Sequence, residues 1–167
     1  MSRFYFFLWL RWAAKLSFKT IVYTFLITLV ITFFTYAKLG FISLDSEVFE
    51  ALLDVYMFYF KIVFSLVLLL ILFRSIKYIF NTCIYGYELK LLSCDGKEVI
   101  EYIGYGDLLR VWRKWFMLLI WLVATCMIVT LFSFFNIYAL FIFILISGYF
   151  SFIILISKCK KVRLIRC

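Results

Sequence analysis

Apolar residues fill four long stretches of this chain, and polar residues gather between them. The four stretches are residues 21–37, 55–73, 116–135 and 139–156. A helix of about 20 apolar residues crosses a hydrocarbon core roughly 30 Å thick. The pattern therefore predicts an all-α integral membrane protein with four transmembrane helices.

Composition agrees with this prediction and limits the kinds of chemical site that the chain can form. The 167 residues are 68% hydrophobic and 23% aromatic, with 22 Phe, no Pro and no His, whereas soluble domains are about 45–50% apolar. The chain has no histidine to act as a base, no paired carboxylates at a cytoplasmic span end and no nucleophile motif. We therefore expect no enzymatic activity, no metal site and no cofactor.

Basic residues are distributed unevenly between the predicted loops. Residues 1–20 contain four basic residues, segment 74–115 contains seven and the tail 157–167 contains five, so that sixteen of the 18 fall on one side of the membrane. The connection 38–54 has one base against four acids. Because Lys and Arg are retained on the cytoplasmic side, both termini are expected in the cytoplasm, against an anionic inner leaflet.

The net charge of +9 could also indicate nucleic-acid binding. The basic residues cluster at the ends of the spans, however, where the orientation rule and anionic headgroups account for them. No nucleic-acid recognition motif accompanies them, so direct nucleic-acid binding is not expected.

The first 20 residues have a separate amphipathic character. At 100° per residue, Arg3, Arg11, Lys15 and Lys19 occupy one arc of a helix, and Phe, Trp and Leu occupy the rest. Such a segment is typical of a helix that lies in the headgroup region. We predict an interfacial helix over residues 1–20, followed by a unit of two spans and an acidic external loop over residues 21–73.

The segment 74–115 is the only part with room for a cytoplasmic fold. Asp95 and Gly96 form a strong two-residue turn signal between two alternating stretches, which predicts a β-hairpin over residues 87–103. In that register Lys90 faces Glu101, Leu91 faces Ile100 and Leu89 faces Tyr102. An isolated hairpin is marginal in water, so its apolar face needs cover from a second copy, the membrane-proximal helices or a soluble partner.

The sequence after the hairpin predicts another helix. Asp107 is a plausible N-cap for a helix that runs from Leu108 into the third span, and residues 116–156 are predicted to hold the third and fourth spans. The tail 157–167 is predicted to be a basic cytoplasmic segment. The five cysteines match no zinc spacing, and since four of them fall on the reducing side, structural disulfides are not expected.

Lys61 lies inside the second apolar stretch. Ser46 can cap a helix that starts beside it, and from there acidic and polar residues continue along one face. That face comprises Glu47, Glu50, Asp54, Lys61 and Ser65. The Lys61 ammonium can reach the interface along its own stem, pair with an acid on another chain, or line a wet cavity.

A line of threonines marks the first span. Thr20, Thr24, Thr28 and Thr32 recur every four residues, and hydroxyl residues are common where membrane helices pack closely. Helix packing is the leading interpretation, and a pore lining is the alternative. Lys61, Asp54, Thr24, Thr28 and Thr32 are accordingly candidates for an intramembrane polar site or a subunit contact.

Taken together, these features predict a protein that acts by assembly. We expect a bacterial inner-membrane homo-oligomer that anchors or scaffolds a cytoplasmic protein through its hairpin, with bacterial origin inferred from richness in Phe, Ile and Lys. The candidate partner-binding residues are Leu89, Leu91, Asp95, Gly96, Ile100 and Tyr102. The alternatives are a channel or membrane-perturbing effector, for example in anti-phage defence, and an immunity or exclusion protein.

Overall fold

In the computed structural model the described residues, 2–40, 45–92, 99–129, 136–158 and 162–167, form four α-helices, a short 3₁₀ helix and three strands. In chain order these are α1 (Ser2–Lys38), α2 (Ser46–Ser75), the 3₁₀ helix (Ile76–Ile79), β1 (Tyr87–Leu92), β2 (Val99–Ile100), α3 (Tyr105–Val129), α4 (Ile137–Lys158) and β3 (Val162–Arg166).

Helix α1 is continuous over 37 residues. The segment predicted as an interfacial helix over residues 1–20 and the first predicted span therefore belong to one helix. The physical reason is that no Gly or Pro precedes Gly40, so nothing interrupts the backbone hydrogen bonds where the polar part gives way to the apolar part. Beyond the helix, Gly40 has a φ of 80°, a conformation that glycine adopts readily after a helix.

Three of the described helices are long and apolar enough to cross a membrane: Arg3–Lys38, Ser46–Ile79 and Ile137–Ile156. Helix α3, whose first turns carry Asp107, Arg113 and Lys114, is not among them. The end of the predicted third span, residues 130–135, lies outside the described residues. The structure thus supports a multi-pass membrane protein with three candidate spans.

The strands form one antiparallel sheet in the order β2-β1-β3. The predicted hairpin register is confirmed where β1 and β2 pair, with Leu91 opposite Ile100 and Leu92 opposite Val99. The third strand was not expected. It comes from the tail, where Val162–Arg166 pairs along β1 from Leu91 back to Tyr87.

The chain divides into two compact units. The sheet unit consists of Met1–Ala14 and Phe73–Cys167, and the helical unit consists of Lys15–Leu72. Helices α3 and α4 pack against each other within the sheet unit. At the centre of that unit, Trp12, Trp115 and Phe152 are buried with ring centroids 5.0–6.1 Å apart.

Candidate functional site

The apolar face of the hairpin is buried inside the sheet unit. Leu89 and Leu91 are 0% and 1% exposed, because β3 pairs along β1 and the start of α1 packs beside it, with the Phe4 and Tyr87 rings 6.2 Å apart. The cover that the sequence required is therefore supplied by the chain itself. Leu89 and Leu91 act as core residues here and are inaccessible to a partner.

The other hairpin candidates have different surroundings. Ile100 is half-buried at the end of β2, and Tyr102 is 92% exposed. Asp95 and Gly96 lie outside the described residues. The expectation that Tyr102 shares the apolar face with Leu89 is wrong, since β2 ends at Ile100 and the chain bends at Glu101 and Tyr102.

Asn81 closes the hairpin where the strand pairing stops. Its backbone N–H donates to the Leu89 carbonyl, and its side-chain amide donates to the Glu101 carbonyl, both at 3.0 Å. The predicted pairing of Lys90 with Glu101 does not form among the described residues, because β2 ends at Ile100, and Lys90 instead forms an ion pair of 3.2 Å with Glu88 on its own strand. Asn81 has a φ of 52°, which Asn tolerates better than most residues.

Cys83 and Cys167 form a disulfide with their Cα atoms 6.1 Å apart. The expectation that structural disulfides are lacking is wrong for this pair. The tail returns along β1, and the Cys167 N–H donates to the Gly86 carbonyl at 3.1 Å, so two cysteines that are distant in sequence meet at one end of the sheet. The distribution of basic residues between the loops predicted that both cysteines lie in the reducing cytoplasm. No local sequence feature indicated that they are in contact.

Four aromatic or apolar side chains of the sheet unit remain exposed at separate places. These are Tyr85, Val99, Tyr102 and Tyr105. Tyr85 precedes the start of β1, and its ring contacts the Phe7 ring with centroids 5.0 Å apart, whereas Val99 pairs with Leu92 at the other end of that strand. Tyr102, at 92% exposure, is the most accessible of the four.

Two cations converge on one of those aromatic rings. The guanidinium carbon of Arg74 lies 5.9 Å, and the ammonium nitrogen of Lys77 lies 5.5 Å, from the centre of the Tyr105 ring. Arg74 lies in the last turn of α2 and Tyr105 begins α3. The sequence showed both bases but not the ring that they share.

Asp107 has a different position in α3 from the one predicted. The helix begins two residues earlier, at Tyr105, and the Asp107 carboxylate accepts a hydrogen bond of 3.0 Å from the backbone N–H of Gly104. Asp107 therefore acts from inside the first turn, as the acidic half of a capping box does.

The polar candidate residues of α2 are all exposed on one face of the helix. Glu47, Glu50, Asp54, Lys61 and Ser65 are exposed and fall within about 60° of arc at 3.6 residues per turn; we call them the outer polar stripe. The Ser65 hydroxyl donates to the Lys61 carbonyl at 3.0 Å. Lys61 forms no ion pair with any residue that the structure describes.

The threonines of α1 have the opposite location. Thr20, Thr24 and Thr28 are fully buried, Thr32 is half-buried, and none of the four hydroxyls has a hydrogen-bond partner among the described residues. Thr35, at the end of the same line, donates to the Ile31 carbonyl at 3.0 Å. The line is therefore a row of hydroxyls that are turned away from solvent and find no hydrogen-bond partner among the described residues.

The described residues do not suggest a metal centre, since no three His, Cys, Asp or Glu side chains among them are close enough together to hold an ion. No family model, curated protein or solved structure matches this chain. Its function is therefore argued from its own residues.

Proposed function

We propose that this chain is a non-catalytic assembly protein of a bacterial inner membrane. Copies associate through the outer polar stripe of α2, and the hairpin presents the exposed Tyr102 to a soluble cytoplasmic protein. Both termini are cytoplasmic in this proposal, because the basic residues gather on that side of the predicted spans.

The exposed ammonium of Lys61 is the observation that carries this proposal. Lys61 lies about 10 Å below Asp54 at 1.5 Å per residue, on a helix that is long and apolar enough to cross the bilayer. A lysine at the centre of a lipid-facing helix costs roughly 2.5–3.5 kcal/mol on insertion scales. Contact with an adjacent copy removes this face from lipid and brings acidic groups of the same stripe within reach.

The mass of the particle in lipid nanodiscs tests the self-association. The wild-type chain should form a defined oligomer, and Lys61→Leu should shift the population towards smaller particles. Lys114→Leu, which removes an exposed base from α3 outside the three candidate spans, is the matched control and should leave the mass unchanged. A wild-type particle that contains one copy would overturn the proposed assembly.

A photo-crosslinking amino acid placed at Tyr102 tests the partner surface. Crosslinking in cells should attach one soluble protein in fixed stoichiometry. The same probe at Tyr23, which is exposed on the first candidate span, should attach lipid or another copy of the chain. If Tyr102 yields no protein adduct, the scaffold role is excluded.

The buried threonines favour a channel as the second candidate function. Buried hydroxyls without partners are costly unless water or another polar group reaches them, and a row of them could line a hydrated path in an oligomer. Ion flux through proteoliposomes tests this candidate. Thr28→Val should reduce the flux and Thr35→Val should not, since the Thr35 hydroxyl is already bonded to its own helix.

A further inference from the structure

The two cations that share the Tyr105 ring have no acidic partner in the part of the chain that the structure describes. Neither Arg74 nor Lys77 forms an ion pair with a carboxylate among the described residues. The nearest acid along α3, Asp107, is turned by about 200° from Tyr105 at 100° per residue, and its carboxylate is bonded to the Gly104 N–H. Two positive heads that are held on one ring repel each other, so an anion beside them is stabilised.

The position of this pair indicates the depth of that anion. Arg74 directly follows the apolar run that ends at Phe73, and helix α2 ends one residue later. Bases at such a span end lie at the level of the lipid headgroups. The Tyr105 ring fixes both cations at that level, because cation–π contacts within about 6 Å are attractive.

Three aromatic side chains follow the cations along α2 and α3: Phe73, Trp112 and Phe116. We call them the aromatic ledge. The rings of Phe73 and Trp112 are 4.7 Å apart, and Trp112 stacks on Phe116 with centroids 4.7 Å apart. Phe73 and Leu109 are exposed. A ligand that contacts both the two cations and the aromatic ledge has a phosphate at one end and hydrocarbon at the other. This is the chemistry of a phospholipid.

We infer that Arg74, Lys77 and Tyr105 bind the phosphate of an acidic phospholipid whose acyl chains lie on Phe73, Trp112 and Phe116. The cations attract the headgroup, the ring positions the cations, and the ledge selects a lipid over a free phosphate ion. This site is independent of the proposed assembly, since it uses no residue of the outer polar stripe.

Native mass spectrometry of the full chain, released from nanodiscs of equal parts phosphatidylglycerol and phosphatidylcholine, tests this site. The wild type should retain phosphatidylglycerol preferentially. The double variant Arg74→Gln/Lys77→Gln should lower that preference roughly 10- to 30-fold, as expected for the loss of two surface cations. Equal retention by this variant and the wild type would overturn the site.

Matched variants separate specific binding from general attraction to charge. Lys90→Gln/Arg163→Gln removes two bases that face each other across β1 and β3 and should leave the preference unchanged. Tyr105→Phe should preserve it and Tyr105→Leu should reduce it, because only the leucine variant lacks the ring. If both Tyr105 variants behave alike, the ring does not position the cations and the proposed geometry is wrong.

Excess inorganic phosphate distinguishes a lipid site from a phosphate site. It should not displace phosphatidylglycerol from the wild type, because the ion makes no contact with the ledge. Displacement by inorganic phosphate would overturn the assignment to a phospholipid.

Discussion

Helix α1 contributes buried residues to both units, and the two parts of its buried line differ in chemistry. In the sheet unit the line consists of Phe4, Leu8 and Trp12, and in the helical unit it consists of Thr20, Thr24 and Thr28, each at four-residue spacing. The first part belongs to an apolar aromatic core. The second part buries hydroxyls that have no partner among the described residues, so the two units should respond differently to the loss of a buried side chain from this helix.

The largest expected effect is at Trp12 in the sheet unit. Trp12→Ala should lower the free energy of unfolding in detergent by about 3–5 kcal/mol, because it empties the centre of an aromatic cluster. Gly148→Ala should also destabilise, by about 1–3 kcal/mol, since an added Cβ would lie 2.5 Å from Cζ3 of the Trp12 ring. In the Trp12→Ala background the same glycine substitution should become close to neutral.

Gly106→Ala is the control for this double-mutant cycle of Trp12 and Gly148. An added Cβ at Gly106 meets no atom within 4 Å, so this substitution should leave the stability unchanged or raise it slightly, as Ala does in a helix. Equal costs of Gly148→Ala with and without the Trp12 ring would show that the ring does not set the packing at this position.

The disulfide gives the second-largest effect. Cys83→Ser should lower the free energy of unfolding of the oxidised protein by about 2–4 kcal/mol, because Cys83 and Cys167 close a loop with a sequence separation of 84. With a reductant present, the wild type and the variant should unfold alike. Thermal unfolding with and without reductant measures both quantities.

Thiol alkylation in intact cells extends this test to the compartment. If the sheet unit is cytoplasmic, both thiols should be alkylated in unstressed cells, since disulfides rarely persist there, and a thiol oxidant such as diamide should close the bond within one chain. A bond already closed in unstressed cells would place the sheet in an oxidising compartment and reverse the proposed orientation.

Local patterns predicted the helical part of this fold well. The apolar runs located the three candidate spans, and the alternation around Asp95 and Gly96 gave the correct register at Leu91 and Ile100. The threonine spacing also located the buried face of α1. Each of these features depends on residues that are close in sequence, where the periods of helix and strand leave a direct trace.

The features that were missed depend on contacts between distant segments. Strand β3 pairs residue 166 with residue 87. The basic residues around Val162 and Leu164 predicted only a cytoplasmic tail for this segment. The disulfide follows from that same return of the tail. The contact of Arg74 and Lys77 with the Tyr105 ring likewise joins separate segments of the chain. The sequence of neither segment predicts it.

A smaller effect tests the helical unit. If the buried hydroxyl of Thr28 has no partner, Thr28→Val should raise the free energy of unfolding by about 1 kcal/mol, because it removes an unpaired polar group at nearly constant volume. Thr35→Val should lower it slightly, since the bond to the Ile31 carbonyl is lost. A destabilising Thr28→Val would show that water or another chain satisfies this hydroxyl, as the channel candidate requires.

The smallest effect returns to the sheet unit. Asp107→Ala should cost about 0.5–1 kcal/mol, because it removes the acceptor of the Gly104 N–H and a negative charge from the first turn of α3. Asp107→Asn should recover part of that loss, since its amide oxygen still accepts the hydrogen bond while the charge is gone. Thermal unfolding of the two variants at low and high salt separates these contributions: the difference between Asp and Asn should shrink with salt, and the difference between Asn and Ala should not. A difference between Asn and Ala that vanishes would mean that the hydrogen bond contributes nothing and that the macrodipole alone accounts for Asp107.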